Sequence, residues 1–98
     1  MATWQTDGHR QRHFGEHGAE MGYATVEEYD AGVDDTLDCG RHFRYWDDNT
    51  GLDRIGCFDA RTGRFVVTNE AGEIVSFFLT DQRYVRGLPY SEYDDGED

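Results

Sequence analysis

From Gly40 onward the chain is cut into short aromatic and β-branched runs by turn-forming clusters, and this spacing leaves few folds open. Arg41-His42-Phe43-Arg44-Tyr45-Trp46 reads as a strand, Asp47-Asp48-Asn49-Thr50-Gly51 as a turn, and Leu52 to Phe58 as a second strand. Asp59-Ala60-Arg61-Thr62-Gly63 is a hairpin connection in which Gly63 is free to take positive φ. Arg64 to Thr68 and Glu73 to Leu79 are two more strands, joined by the turn Asn69-Glu70-Ala71-Gly72. Connections this brief exclude crossover helices, so the strands pair with their neighbours as a four-stranded antiparallel meander.

The first third is helical in pattern. Asp7 can cap a first helix running to about His17, with Gly18 as its C-terminal stop. Thr25-Val26-Glu27-Glu28 is a capping box, a hydroxyl at the N-cap and a carboxylate three residues on. It opens a second helix with Val26, Tyr29, Val33 and Leu37 on one stripe and its end near Asp38 to Gly40. Gly32 weakens that helix by about 1 kcal/mol relative to Ala. One or both helices must cover the sheet's apolar face, so the fold class is α+β, two N-terminal helices packed on the meander. A chain of 98 residues makes one such domain, over residues 1–93, followed by an acidic tail at 94–98 expected to be disordered. Aromatic rings, 14% of the residues, fill its modest core.

The formal charge is -12, and all nine cationic residues are arginine. Without the four acids of the tail the body still carries about -8. Self-repulsion of this size opposes compactness, keeps a chain dispersed and is screened by salt, so a salt-rich cytoplasm suits it and a halophilic source is expected. No apolar run approaches the roughly 18 residues of a membrane span, and nothing resembles a signal peptide. Cys39 and Cys57 are too few for a disulfide scaffold and read as buried free thiols of an intracellular, cytoplasmic protein. There is no glycine-rich nucleotide loop and no nucleophile motif, which sets small-molecule enzyme chemistry aside.

Chemistry concentrates in Arg12-His13-Phe14-Gly15-Glu16-His17-Gly18. His13 and His17 stack on one helix face, and His9 continues the row one turn earlier. Imidazoles can give and take protons near neutrality, so one of the pair can serve as base and the other as acid. The same row, with Glu16 or Glu20, can be weighed as a metal claw. Three histidines in line fit poorly, because residues i and i+8 lie about 12 Å apart along a helix. The glutamate that follows the first histidine in zinc-protease helices is also missing. Neither metal nor cofactor is therefore assigned, and a polar helix face is the plain alternative. His42, in a strand beside aromatics, is expected to pack.

His-Phe-x-x-His-Gly, the capped helix with Glu-Glu-Tyr, the hairpin Phe58 to Val67, and Gly72-Glu73-Ile74-Val75-Ser76-Phe77-Phe78 follow one another in a fixed order. In that order they resemble the C-terminal toxin domains of bacterial polymorphic and contact-dependent toxins. Those belong to the barnase–EndoU–colicin–RelE group of small nucleases, and the resemblance runs from about His9 to Tyr93. It implies helices before a four-stranded antiparallel sheet, metal-independent cleavage of RNA, often tRNA, and a cognate inhibitor that masks the site. The positions it implicates are His13, His17 and Ser76, the last standing where the family usually has Thr. Cys57 stands where the family often has Arg, leaving Arg54 as a displaced substitute, and Leu79-Thr80 stands where it often has Lys-Pro.

The remaining candidates follow from pattern. Arginines interleave with Phe43, Tyr45, Trp46, Phe58 and Tyr84 over the sheet half, as a single-stranded RNA groove requires, or else pair with the many carboxylates. Alternation puts Arg54 with Gly56, facing outward, and groups Ile74, Ser76 and Phe78 opposite Val75, Phe77 and Leu79. Residues 81–90 read as a loop able to fold over a site, with Tyr84 or Arg86 reaching in. Two functions from different classes remain: a small ribonuclease using His13 and His17, with Arg54, Ser76, Tyr84 and Arg86 on the substrate, or a non-catalytic module of the same fold that binds a protein partner. Arginines gathered in one cleft with His13 argue for the first, and scattered arginines for the second.

Overall fold

The computed structural model describes residues 3–94. Its order is α1 (Asp7–His17), α2 (Val26–Cys39), β1 (Arg41–Asp47), β2 (Leu52–Asp59), β3 (Arg64–Thr68), β4 (Ile74–Leu79) and α3 (Gln82–Arg86). The strands form one antiparallel sheet in the order β1-β2-β3-β4, as the turn spacing requires. The tail expected at 94–98 lies, apart from Asp94, outside the described residues.

Caps act where polar residues flank the helices. Thr6, one residue before the expected Asp7, is the N-cap of α1, its hydroxyl accepting from the His9 amide at 3.0 Å. Thr25 caps α2 by accepting from Glu28 N at 3.1 Å, while the Glu28 carboxylate accepts from Ala24 N at 2.9 Å. Gly63, with φ 78°, closes the β2–β3 hairpin, its amide donating to the Asp59 carbonyl at 2.8 Å.

Two apolar clusters lie on opposite faces of the sheet. On one face Tyr29 and Val33 of α2 pack with Met21 and Trp4 against Cys57, Val66, Ile74 and Phe77. Tyr29 is fully buried, and its hydroxyl donates to the Phe77 carbonyl. That burial raises the Tyr29 phenol well above the ordinary tyrosine value, so it stays a neutral donor. On the other face Phe43, Tyr45, Phe58, Phe65 and Val67 are covered by Val85 of α3 with Leu88 and Tyr93. The N-terminal helices cover one apolar face of the sheet, as expected, and the sheet has a second. The second is covered by the C-terminal segment, a short helix and strap where a loop was expected.

Faces change at a β-bulge between Val67 and Thr68 opposite β4. It puts Ile74 with Phe77 on the α1/α2 side and Val75 with Phe78 on the other, correcting the simple alternation. The N-terminal segment reinforces this point: Ile74 N donates to Thr3 O at 2.8 Å and Gln5 N to Ile74 O at 2.9 Å. At the opposite edge Trp46 N donates to Pro89 O at 2.8 Å and Glu92 N to Arg44 O at 2.9 Å.

Gly56 of β2 lies directly beneath two aromatic rings. A Cβ there would lie 2.6 Å from a Phe43 ring carbon and 2.7 Å from one of Phe65. Gly56→Ala is therefore expected to cost about 1–3 kcal/mol, read as a lower urea midpoint at unchanged slope. The two thiols differ. Cys57 is buried and donates to the Thr36 carbonyl at 3.2 Å, and burial pushes its thiol up to about 12. Cys39, at the end of α2, is exposed, against the expectation that both are buried. A maleimide is expected to label one thiol of the native protein and the second only in denaturant.

Candidate functional site

Helical spacing stacks the three imidazoles: ring centroids are 6.4 Å apart for His9–His13 and 5.7 Å for His13–His17. α1 packs against β4 through this face, which brings His13 to the strand residue Ser76. Here α1, β2, β4, the turn after β1 and the C-terminal segment enclose an open hollow of about 620 Å³. His9, Arg12, His13, Tyr45, Trp46, Asp47, Arg54, Ser76, Phe78 and Tyr84 are among its lining residues.

His13 is its best-positioned titratable group. Half-buried, it stacks on Trp4 at 5.9 Å, and its Nδ1 lies 3.5 Å from Ser76 Oγ. Its Nε2 lies 3.5 Å from Arg12 Nη2. A guanidinium can only donate, so the neutral ring accepts at Nε2 and carries its proton on Nδ1, toward Ser76. Burial, then the neighbouring Arg12 and His17, hold His13 below the ordinary histidine value. At neutral pH it is an uncharged base whose orientation is set by Trp4 and Ser76.

Arg54 supplies fixed positive charge. It is buried at 7% exposure, not outward as alternation suggested, with Nε 3.5 Å from Asp47 Oδ2. Asp47 is itself held, its Oδ1 accepting from Asn49 N at 3.0 Å. A guanidinium has five N–H donors in a planar fork, so the Asp47 contact leaves most of them for a further anion. Tyr84 presents a half-exposed ring at the rim, in edge contact with Phe78 and Phe65.

The hollow thus collects four of the six expected residues: His13, Ser76, Arg54 and Tyr84. His17 is not in its lining; its ring lies against Phe78, with Glu16 Oε1 3.9 Å from its Nε2. Arg86 also stays out, placed over the Tyr93 ring at 5.9 Å. His42 does not pack: it is exposed and its Nε2 lies 3.0 Å from the Leu37 carbonyl, at the end of α2. Of the other arginines, Arg10 pairs with Asp7 and Asp30, Arg44 with Glu70 and Arg61 with Asp59, so only Arg12 and Arg54 join His13 in the hollow.

Sequence reasoning missed Trp4, Arg12, Asp47 and the place of His9 in the lining. Asp47 carried a readable signal, an acid opening a turn two residues before Asn49. Among the described residues, one group has the composition of a metal centre: His13, Glu16 and His17, whose ligand atoms lie within 4.8 Å of one another. No helix among them is long and apolar enough to cross a membrane. Comparison with protein-family models, with curated proteins and with solved structures returned no match.

Proposed function

We propose that this protein is a small metal-independent ribonuclease, of the kind its sequence resembles, with tRNA as the first substrate to test. The observation that carries the reading is the oriented imidazole of His13 in one open hollow with Arg12, Arg54 and the Tyr84 ring, where burial favours its uncharged form. His13 takes the proton of the ribose 2′-hydroxyl as that oxygen attacks the adjacent phosphate. Ser76 acts through His13 by accepting a hydrogen bond from its Nδ1–H, which keeps the basic Nε2 available to the substrate when Arg12 turns to the phosphate. Arg54 and Arg12 neutralise the charge that builds on the phosphate. Since His17 lies outside the hollow, His9 is the better donor to the departing 5′ oxygen. Tyr84 and Trp46 offer faces on which an unpaired base stacks.

Cleavage of total tRNA by purified protein, in EDTA and at both low and molar salt, tests this directly. Cleavage that persists in EDTA and disappears in His13→Ala supports the reading, and its absence at both salt concentrations removes it. Two observations favour the second function, a protein-binding module: seven of the nine arginines lie outside the hollow, and acids lie within it. Asp47 and Asp48 share the hollow with the two arginines, and the acidic body repels a polyanion unless salt screens it. On that reading the hollow receives an arginine or lysine side chain of a partner, such as a cognate inhibitor, and no RNA is cut.

A further inference from the structure

We propose that His13, Glu16 and His17 form a binding site for one divalent transition-metal ion, with Zn²⁺ as its representative, and that occupancy switches the proposed nuclease off. The second half rests on the ribonuclease reading; the first does not.

Positions i, i+3 and i+4 of α1 put the three side chains on one face within a single turn. Their ligand atoms all lie within 4.8 Å, with His17 Nε2 and Glu16 Oε1 already 3.9 Å apart. Ligands about 2.0–2.1 Å from a tetrahedral zinc ion stand about 3.3–3.4 Å from one another. The closure needed is on the order of 1.5 Å, within reach of side-chain rotation, since Glu16 is 56% and His17 28% exposed. Two imidazoles and a carboxylate are a donor set that zinc takes with three protein ligands, the fourth position going to water.

Ligand-bearing rings are also held as such sites require. Trp4 stacks on His13, Phe78 lies against His17, and Ser76 Oγ lies 3.5 Å from His13 Nδ1, so both rings are oriented by neighbours. His9 is not part of the set: its ring nitrogens do not join the ligand atoms of the other three within 4.8 Å. Arg12, 3.5 Å from His13, opposes a cation electrostatically, but its side chain is exposed and free to swing aside. A neutral imidazole has one lone pair to give. A metal that takes it from His13 leaves none for the proton of a ribose hydroxyl.

Untagged protein is titrated with Co²⁺, read by its visible absorption, and with Zn²⁺ in competition against a chromophoric chelator. One ion per chain is expected, with affinity at least about 100-fold weaker in His17→Ala, also reduced in Glu16→Gln, and retained in His9→Ala. Absence of stoichiometric binding, or wild-type affinity in both His17→Ala and Glu16→Gln, overturns the site. Glu16 is exposed, so its variant reports on the site even if His17→Ala folds poorly. Cleavage of tRNA is followed in parallel. Inhibition by one equivalent of Zn²⁺, reversed by EDTA, supports the switch. Undiminished cleavage with the site filled overturns it. Metal binding by a protein that cuts no RNA in EDTA upholds the site and removes the nuclease reading, together with the switch.

Discussion

His13→Ala is expected to lower tRNA cleavage by about 10²- to 10⁴-fold while leaving the fold in place, the range for loss of one positioned proton-transfer group. His13 is half-buried and contributes to no apolar cluster, so far-ultraviolet circular dichroism of the variant should match the wild type. Ser76→Ala separates the roles further. It removes only the acceptor for the Nδ1 proton, so it should reduce turnover by much less than loss of His13. Identical fragment patterns from wild type and His13→Ala would assign the cleavage to a contaminant and end the catalytic account.

Phe65→Ala is expected to cost about 3–5 kcal/mol, against a total stability of about 5–15 kcal/mol for a domain of this kind. Phe65 is fully buried at the middle of the sheet, its ring within 5.5–6.3 Å of those of Phe43, Phe58, Phe78 and Tyr84. Collapse cannot refill the space, because β2 and β3 are held in register by the ladder from Ile55↔Thr68 to Asp59↔Arg64. The Tm should fall by roughly 12–40 °C in a thermal melt. A loss under about 1 kcal/mol would mean that the C-terminal segment does not seal this face. Since Phe78 and Tyr84 also line the hollow, residual activity should drop at temperatures where the wild type is still folded.

Much of the architecture could be read locally. Thr25 with Glu28, Gly63 and the Asp-rich turns act through their own neighbours, so α2 and the hairpins followed from a few residues each. What depended on distant partners was not visible. The bulge opposite Val67 and Thr68 is stabilised where Thr3 and Gln5 meet Ile74, about seventy residues away along the chain, and nothing near Ile74 announces it. Residues 81–90 looked like a loop because Val85 and Leu88 alone are too few for a periodic stripe, and Tyr93 lies beyond them. They are the residues that cover the second face.

The site divides in the same way. The spacing of His13 and His17 was evident, but only the angle of α1 across β4 decides which imidazole reaches the hollow. Arg54 stood out in the sequence as a cation close to a turn, whereas its burial depends on Asp47 in the neighbouring strand. Arg12 was one arginine among nine until its position beside His13 distinguished it.

The hydrogen bonds from the N-terminal residues to Ile74 and from the C-terminal strap to Arg44 and Trp46 have a consequence for many molecules rather than one. Backbone groups that are already occupied offer no template for a foreign strand, so a recruited chain could not pair at Ile74 on one margin or at Arg44 and Trp46 on the other. These local plugs act together with the mutual repulsion of strongly anionic copies at low salt, and they alone remain when molar salt screens the charge.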